Sequence, residues 1–293
     1  MTMKRRLKRL AILLVGMWVF LALLLLLFQE WFIFPGRISQ GRSYANVRAI
    51  EGREELIRLT TTRGDQTVAV LTFAADRAGR PLDNPRERPV VFFFYGNAMS
   101  LADAIDLSRE IARQGIHVAT LEYPGYGMAG GKPSEAGIYA AVDALHASLS
   151  ARDDLDLSRL VPVGWSLGGA VAIDTAARFP VRGVAAMCSF TSIPDMGRKT
   201  FFFLPIDWLA RHRFDNLSKL PRIHAPLFLG HGKIDAIVPF AMSERLAEAA
   251  GGEVQTHWID AANHNDFFML GGLKLMDDLA AFVHRVASHD RGQ

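Results

Sequence analysis

The chain has 293 residues, half of them hydrophobic, with a formal net charge of +3 and one cysteine. A single cysteine excludes an intramolecular disulfide and a cysteine-based metal cluster. The near balance of 33 basic and 30 acidic residues, with no basic stripe interleaved with aromatics, gives no sign of nucleic-acid binding.

Five basic residues open the chain: Lys4, Arg5, Arg6, Lys8 and Arg9. "LAILLVGMWVFLALLLLLF", Leu10 to Phe28, follows without a charge and meets the roughly 20 residues a helix needs to cross a hydrocarbon core. A cleaved signal peptide is the competing reading. Against it, the apolar run exceeds the usual h-region, and "LLLFQEWFIFP" has no small-x-small site. We therefore expect a basic cytoplasmic terminus over 1–9 and a transmembrane signal-anchor over 10–28. Trp31, Phe32 and Phe34 read as an interfacial aromatic belt, within a linker over 29–45. The basic cluster should stay in the cytoplasm, placing residues 46–293 outside it, in the periplasm if the source is bacterial.

That remainder suits one large domain. "EELIRLTTTRGDQTVAVLTFAA" predicts a hairpin, and "VVFFFYG" a strand buried on both faces. "SLADAIDLSREIARQG" predicts an amphipathic helix stopping at Gly115. "IHVATLEY" is the next strand, and Ser134 caps a helix over "SEAGIYAAVDALHASLS". "LVPVG" and "GGAVAIDTAARFP" are a strand and a helix. "VRGVAAMCSF" is a strand, with Cys188 as a buried small hydrophobe. After an irregular stretch come strand "APLFLG", helix "PFAMSERLAEAAGG", strand "EVQTHWID" and a last helix broken near Gly271-Gly272. Strands alternating with helices specify an α/β fold, a mainly parallel sheet covered on both faces, with ligands at the carboxyl ends of strands.

Within "LVPVGWSLGGAVAI", Ser166 stands between glycines where a strand turns sharply into a helix. Glycines remove the Cβ atoms that would clash there. The expected result is a nucleophile elbow presenting the hydroxyl at a helix N-terminus. A serine needs a base, and the base an orienting acid. The expected chain order is serine, acid, histidine, which selects Asp235 in "HGKIDAIVP" and His264 in "NHNDFF". Asp195 and Asp260 are alternative acids, and Asp266 reads as a helix cap. His231 also ends a strand and reads as a loop-shaping residue, whereas His289 falls in the tail. The backbone N–H of Leu167 and that of Asn97, in the loop after "VVFFFYG", are the expected oxyanion donors.

These motifs together resemble the α/β-hydrolase superfamily, and within it the branch of the Bem46-like proteins and the depalmitoylase-like α/β-hydrolase-domain proteins. "YGNAMS" resembles that branch's His-Gly-Asn-Ala segment, and "LEYPGYGMAGGKPSEAG" its Tyr-x-Gly-Tyr-Gly loop with Pro-Ser-Glu. "GWSLGGAVAI", "SFTSIPDM", "HGKIDAIVP" and "NHNDF" follow in the same order, and "FIFPG" resembles the branch's entry to the domain. Tyr95 departs from the pattern, standing where the branch has a histidine that braces the oxyanion loop; a phenol also donates, so the hole is expected to persist. Met128-Ala129 stands where a serine is usual.

The resemblance implies hydrolysis of an ester or thioester of acyl or lipid-like substrates through an acyl-enzyme, without a metal or organic cofactor. A serine peptidase of aminopeptidase type is the alternative within catalysis, and a membrane-tethered non-catalytic scaffold the alternative outside it. The irregular stretch, about 191–224, is long enough to be a functional insertion. We read it as a lid whose apolar face, with Phe202, Phe203 and Trp208 as substrate-binding residues, lines an acyl groove above Ser166 or touches the bilayer, with Arg198, Lys199, Arg211 and Arg213 meeting lipid head groups; a small helical cap whose aromatics fill its underside is the alternative.

Overall fold

The computed structural model describes residues 3–288; the tail histidine His289 lies outside them. Helix α1, Met3–Ile33, carries the N-terminal apolar segment, and its most apolar window is unburied by the rest of the chain. The hairpin β1, Glu54–Thr60, and β2, Gln66–Thr72, forms around the Arg63-Gly64 turn. The chain then alternates: β3 Val90–Phe94, α2 Leu101–Ala112, β4 His117–Leu121, α3 Glu135–Ser150, β5 Leu160–Trp165, α4 Leu167–Arg178 and β6 Val184–Met187. Two short helices follow, α5 Ile193–Thr200 and α6 Ile206–Leu209, before β7 Leu227–Gly232, α7 Phe240–Glu248, β8 Val254–Ile259 and α8 Phe267–Ser288.

The eight strands form one sheet in the order β1-β2-β4-β3-β5-β6-β7-β8. The pairings of β2 are antiparallel, and those from β4 through β8 are parallel. β3, β4 and β6 are buried throughout, which explains their continuous apolar runs. Local signals set the helix ends. Ser134 Oγ accepts the Gly137 N–H at 3.0 Å, Gly115 takes φ +79 just past α2, and α8 kinks at Gly272 (φ 49, ψ −142).

From β3 the chain winds outward to β4, then returns to lay β5 on the other side of β3. That reversal opens a crevice between the loops after β3 and β5. Asn97 and Ser166 stand there.

Two expectations are corrected. Residues 29–45 are not a free linker: α1 runs on to Ile33, Gly36 N donates to Asn97 O at 2.9 Å, and Ala45 is buried. Phe34 is not part of an aromatic belt either. It is fully buried, edge-on to His212 and Phe214, because the chain turns into the domain directly after the helix.

The β5–α4 turn is the tightest main-chain approach. A Cβ on Gly168 would lie 1.9 Å from Phe94 O, and one on Gly164 2.0 Å from Gly168 O. No side-chain rotation relieves a clash with backbone. Gly168→Ala should therefore cost on the order of 3 kcal/mol or more, read as a lowered urea midpoint or loss of folded protein. A midpoint equal to wild type would show that β3 and α4 are less closely packed than described.

Candidate active site

Ser166 sits at φ 56, ψ −117, a backbone conformation rare for any residue with a side chain. It is held by its N–H to Met187 O at 2.8 Å and by Gly169 N–H and Ser189 Oγ donating to its own carbonyl. Strain of this kind persists only where the surroundings over-determine it, and it collects at functional sites.

Ser166 Oγ lies 3.0 Å from His264 Nε2, and His264 Nδ1 lies 2.7 Å from Asp235 Oδ2. All three side chains are buried. Asp235 Oδ1 accepts the N–H groups of Ile237 and Val238 at 2.8 and 2.7 Å, fixing the carboxylate's orientation. Burial alone would raise this carboxyl's pKa, but hydrogen bonds from His231 and His264 outweigh it and hold the group well below the usual carboxylate range. An ionised Asp235 accepts a hydrogen bond from His264 Nδ1–H, leaving Nε2 free to accept the Ser166 hydroxyl proton.

Several contributors were not anticipated from sequence. His231 Nε2 points at Val238 O (3.0 Å) and Asp235 Oδ2 (3.2 Å), so it carries the proton, while Nδ1 accepts from Ser243 Oγ at 2.6 Å. Thus it shapes the loop, as expected, and also grips the acid. Asn263 Oδ1 accepts both Ala236 N–H and His264 N–H, tying the acid loop to the histidine loop. Trp165 stacks on the imidazole at 5.3 Å. Chain position gave no hint of any of the three partnerships.

The alternative acids lie elsewhere. Asp195 is bonded to Thr191 and paired with Arg198, and Asp260 pairs with Lys233 at the surface. Asp266 Oδ1 accepts Asn263 N–H at 2.6 Å, bracing the loop before α8. Cys188 Sγ lies within 4.8 Å of ligand atoms of Asp235 and His264. That trio does not fit a metal: Asp235 and His264 are committed to each other, and burial pushes the thiol's pKa far up, keeping it protonated.

A cavity of about 730 Å³ opens over Ser166 and His264. Asn97 and Leu167 line it, and among the described residues neither backbone N–H is taken up by an acceptor. The Asn97 loop is otherwise fully tied: its carbonyl accepts Gly36 N–H and Tyr126 OH, and its Nδ2 donates to Ile33 O at 3.1 Å. Beneath it, Tyr95 OH donates to Glu122 and accepts Tyr123 N–H at 3.1 Å, while Tyr123 OH donates to Tyr95 O at 2.8 Å. Burial raises the Glu122 carboxyl's pKa, against the opposing pull of Tyr95 OH and of the Leu101 and Met128 N–H groups.

The lid residues need correction. Phe202, Phe203 and Trp208 do not line the cavity; Phe202 is 82% exposed and Trp208 91%. In α6, Ile206 and Leu209, three apart, face inward and leave Trp208 outside; in the preceding turn Phe201 is the inward ring. Three of the four lid cations are paired within the protein. Arg198 binds Asp195 and Asp207, Arg211 binds Glu30, and Arg213 lies 3.9 Å from Asp207.

Residues 92–218 match the model of the alpha/beta hydrolase family. The chain is 31% identical over 199 residues to the uncharacterized protein Rv2307c of Mycobacterium tuberculosis, covering 68% of this chain and 71% of the relative. The chain belongs to the alpha/beta hydrolase family. It is also 27% identical over 206 residues to human alpha/beta hydrolase domain-containing protein 17B, covering 68% of each. Among solved structures, esterase Pf2001 of Pyrococcus furiosus superposes with a TM-score of 0.64 at 16% identity, over 83% of this chain and 100% of that one. Est1E of Butyrivibrio proteoclasticus, bound to ferulic acid, gives 0.64 at 13% identity, over 80% and 100%. These likenesses extend the fold assignment to about four-fifths of the chain.

The Tyr95 network yields a test within this hydrolase fold. Tyr95→Phe leaves Tyr123 N–H without an acceptor and removes one donor from Glu122. Each buried group left unpaired costs about 1–3 kcal/mol, so the variant's unfolding midpoint in urea should fall accordingly. An unchanged midpoint would mean that the phenol does not brace this loop.

Proposed function

We propose that the protein is a membrane-anchored serine hydrolase that cleaves carboxylic esters or thioesters of acyl or lipid-like substrates through an acyl-enzyme. The observation that carries this reading is the relay Ser166–His264–Asp235, with spacings of 3.0 and 2.7 Å, at the floor of a largely apolar cavity. Ser166 Oγ attacks the acyl carbon while His264 Nε2 takes the hydroxyl proton. The tetrahedral oxyanion is met by the unused N–H groups of Leu167 and Asn97. Collapse breaks the bond to the leaving alcohol or thiol, which receives that proton from His264. Water then attacks the acyl-Ser166 ester, again with His264 as base, releasing the acid and restoring the serine.

An acyl chain fits the cavity better than a peptide does. Its walls are mainly Leu, Ile, Phe and Met side chains, which offer few partners to a peptide's N–H and C=O groups. On this reading α1 is an uncleaved anchor, residues 10–28 span the bilayer, the basic residues 4–9 stay in the cytoplasm, and the catalytic domain over 46–293 lies on the other side, with a lid about 191–224.

Ser166→Ala should abolish covalent labelling by a fluorophosphonate and lower ester turnover by about 10⁶-fold with its unfolding midpoint unchanged, and Asp235→Asn should lower turnover by about 10⁴-fold. Since the triad acts as a unit, His264→Ala added to Ser166→Ala should cost little more. Labelling that survives Ser166→Ala would reject the assignment.

The topology has its own measurement. A reporter enzyme active only outside the cytoplasm, fused after the last residue, should be active, and the protein should stay in membranes through an alkaline wash. A soluble mature domain starting near residue 30 would replace the anchor with a cleaved signal.

A further inference from the structure

Polar groups on an otherwise apolar helix reveal what the helix faces. Within α1, Trp18 and Gln29 make hydrogen bonds to the lid, Gln29 also donating to Leu26 O in its own helix. Trp18 Nε1 donates to Phe203 O at 2.8 Å. Gln29, only 4% exposed, donates from Nε2 to Leu209 O at 3.1 Å and accepts Arg211 N–H on Oε1 at 2.8 Å. Between them Ala22 packs with Leu204 and Ile206 of the lid, flanked by Leu21 and Leu25. The helix and the lid are therefore one packed unit over several turns.

This packing fixes the lid's depth. Trp18 lies ten residues before Phe28, the end of the uncharged run, which is roughly 15 Å along the axis at 1.5 Å per residue. The lid turn at Phe203 thus sits beside the middle of the proposed span. Phe202, beside that turn and covered by no protein surface, is then solvated by lipid rather than water. The turn's carbonyl, which lipid cannot satisfy, is the one that Trp18 takes.

The cavity above Ser166 continues into this junction. Its wall includes Leu25, Gln29, Phe32 and Ile33 of α1, facing Phe201 and Ile206 of the lid. We propose that α1 is a wall of the acyl site and that the acyl chain of a bilayer-resident lipid ester reaches Ser166 from the leaflet, between α1 and the lid. This rests on the hydrolase reading above. The helix is then a substrate-binding element as well as a tether, and the ester never has to leave the membrane fully to be cleaved.

The experiment uses the full chain in phosphatidylcholine vesicles and a long-chain fluorophosphonate with a diazirine near the chain end. After reaction, irradiation should cross-link the probe to peptides containing Leu25 to Ile33 and to those of the lid. Cross-links confined to the lid or to the sheet loops overturn the α1 wall while leaving the hydrolase reading in place; failure to label Ser166 at all removes that reading, and this proposal with it. A second arm compares Leu25→Trp with Leu27→Trp, whose side chain is exposed away from the cavity. The ratio of kcat/KM for a long-chain p-nitrophenyl ester to that for the acetate should fall about tenfold or more in L25W, the scale for an obstructed apolar pocket, and stay at wild type in L27W. Equal ratios in both variants overturn the proposal. Finally, hydrolysis of a long-chain ester should follow its mole fraction in the enzyme's own vesicles. An equal rate on ester supplied in separate vesicles, or as monomers in water, rejects entry from the leaflet.

Discussion

The whole site depends on β5 turning into α4 within one residue. Ser166 accepts a positive φ because Gly164 and Gly168 let the Phe94 and Gly168 carbonyls approach to distances at which no Cβ fits. That contact brings β3, β5 and α4 together at their ends, so the loop after β3 must lie beside the first N–H of α4. The proposed nucleophile and oxyanion donors are thereby set by main chain rather than by side-chain rotamers. A constellation placed this way loses little entropy when it works, because nothing in it has to be ordered at that moment.

Side-chain hydrogen bonds supply the rest of the rigidity. Asp235 is gripped by two backbone N–H groups and two histidines, and Asn263 bridges the loops that carry the acid and the base. On the opposite wall, the pair Tyr95–Glu122 holds the Asn97 loop, and among the described residues no cation is paired with the carboxyl. A buried carboxyl with three donors is tolerable only while all three stay in place. Tyr95 therefore braces the loop only as part of this complete set of bonds.

What sequence showed and what it hid divide along a physical line. That Ser166, Asp235 and His264 come together was legible because the fold imposes local signatures: glycines at a forced turn, polar residues just past buried strands, and a fixed chain order. The hairpin, the buried strands and the α8 kink at Gly272 were legible for the same reason, since each is encoded within a few neighbouring residues. Residues 29–45 were misread because nothing local distinguishes a free linker from one pinned by Asn97, more than sixty residues away. The lid aromatics failed differently. Phe201, Phe202 and Phe203 are consecutive and irregular, so no periodicity assigns them a phase, and the inward ring is chosen by packing against α1. His231, Asn263 and Trp165 act through partners far away or across a loop, and composition carries no trace of those bonds.

A tether has few requirements: length, hydropathy and a charge bias at its end. Most of α1 meets those and nothing more, since Leu10, Leu13, Leu23 and Leu27 stand exposed along it. The other face carries a different constraint. Gln29 would be expensive in hydrocarbon, yet its amide is satisfied on both sides by the Leu209 carbonyl and the Arg211 N–H, and the Ile33 carbonyl at the helix end is taken by Asn97 in the oxyanion loop. Displacing the helix would leave those groups unpaired within reach of the nucleophile's own cavity. On the proposed anchor reading, membrane attachment and the shape of the candidate site are thus coupled through a handful of hydrogen bonds, which is more than hydrophobic length alone would require.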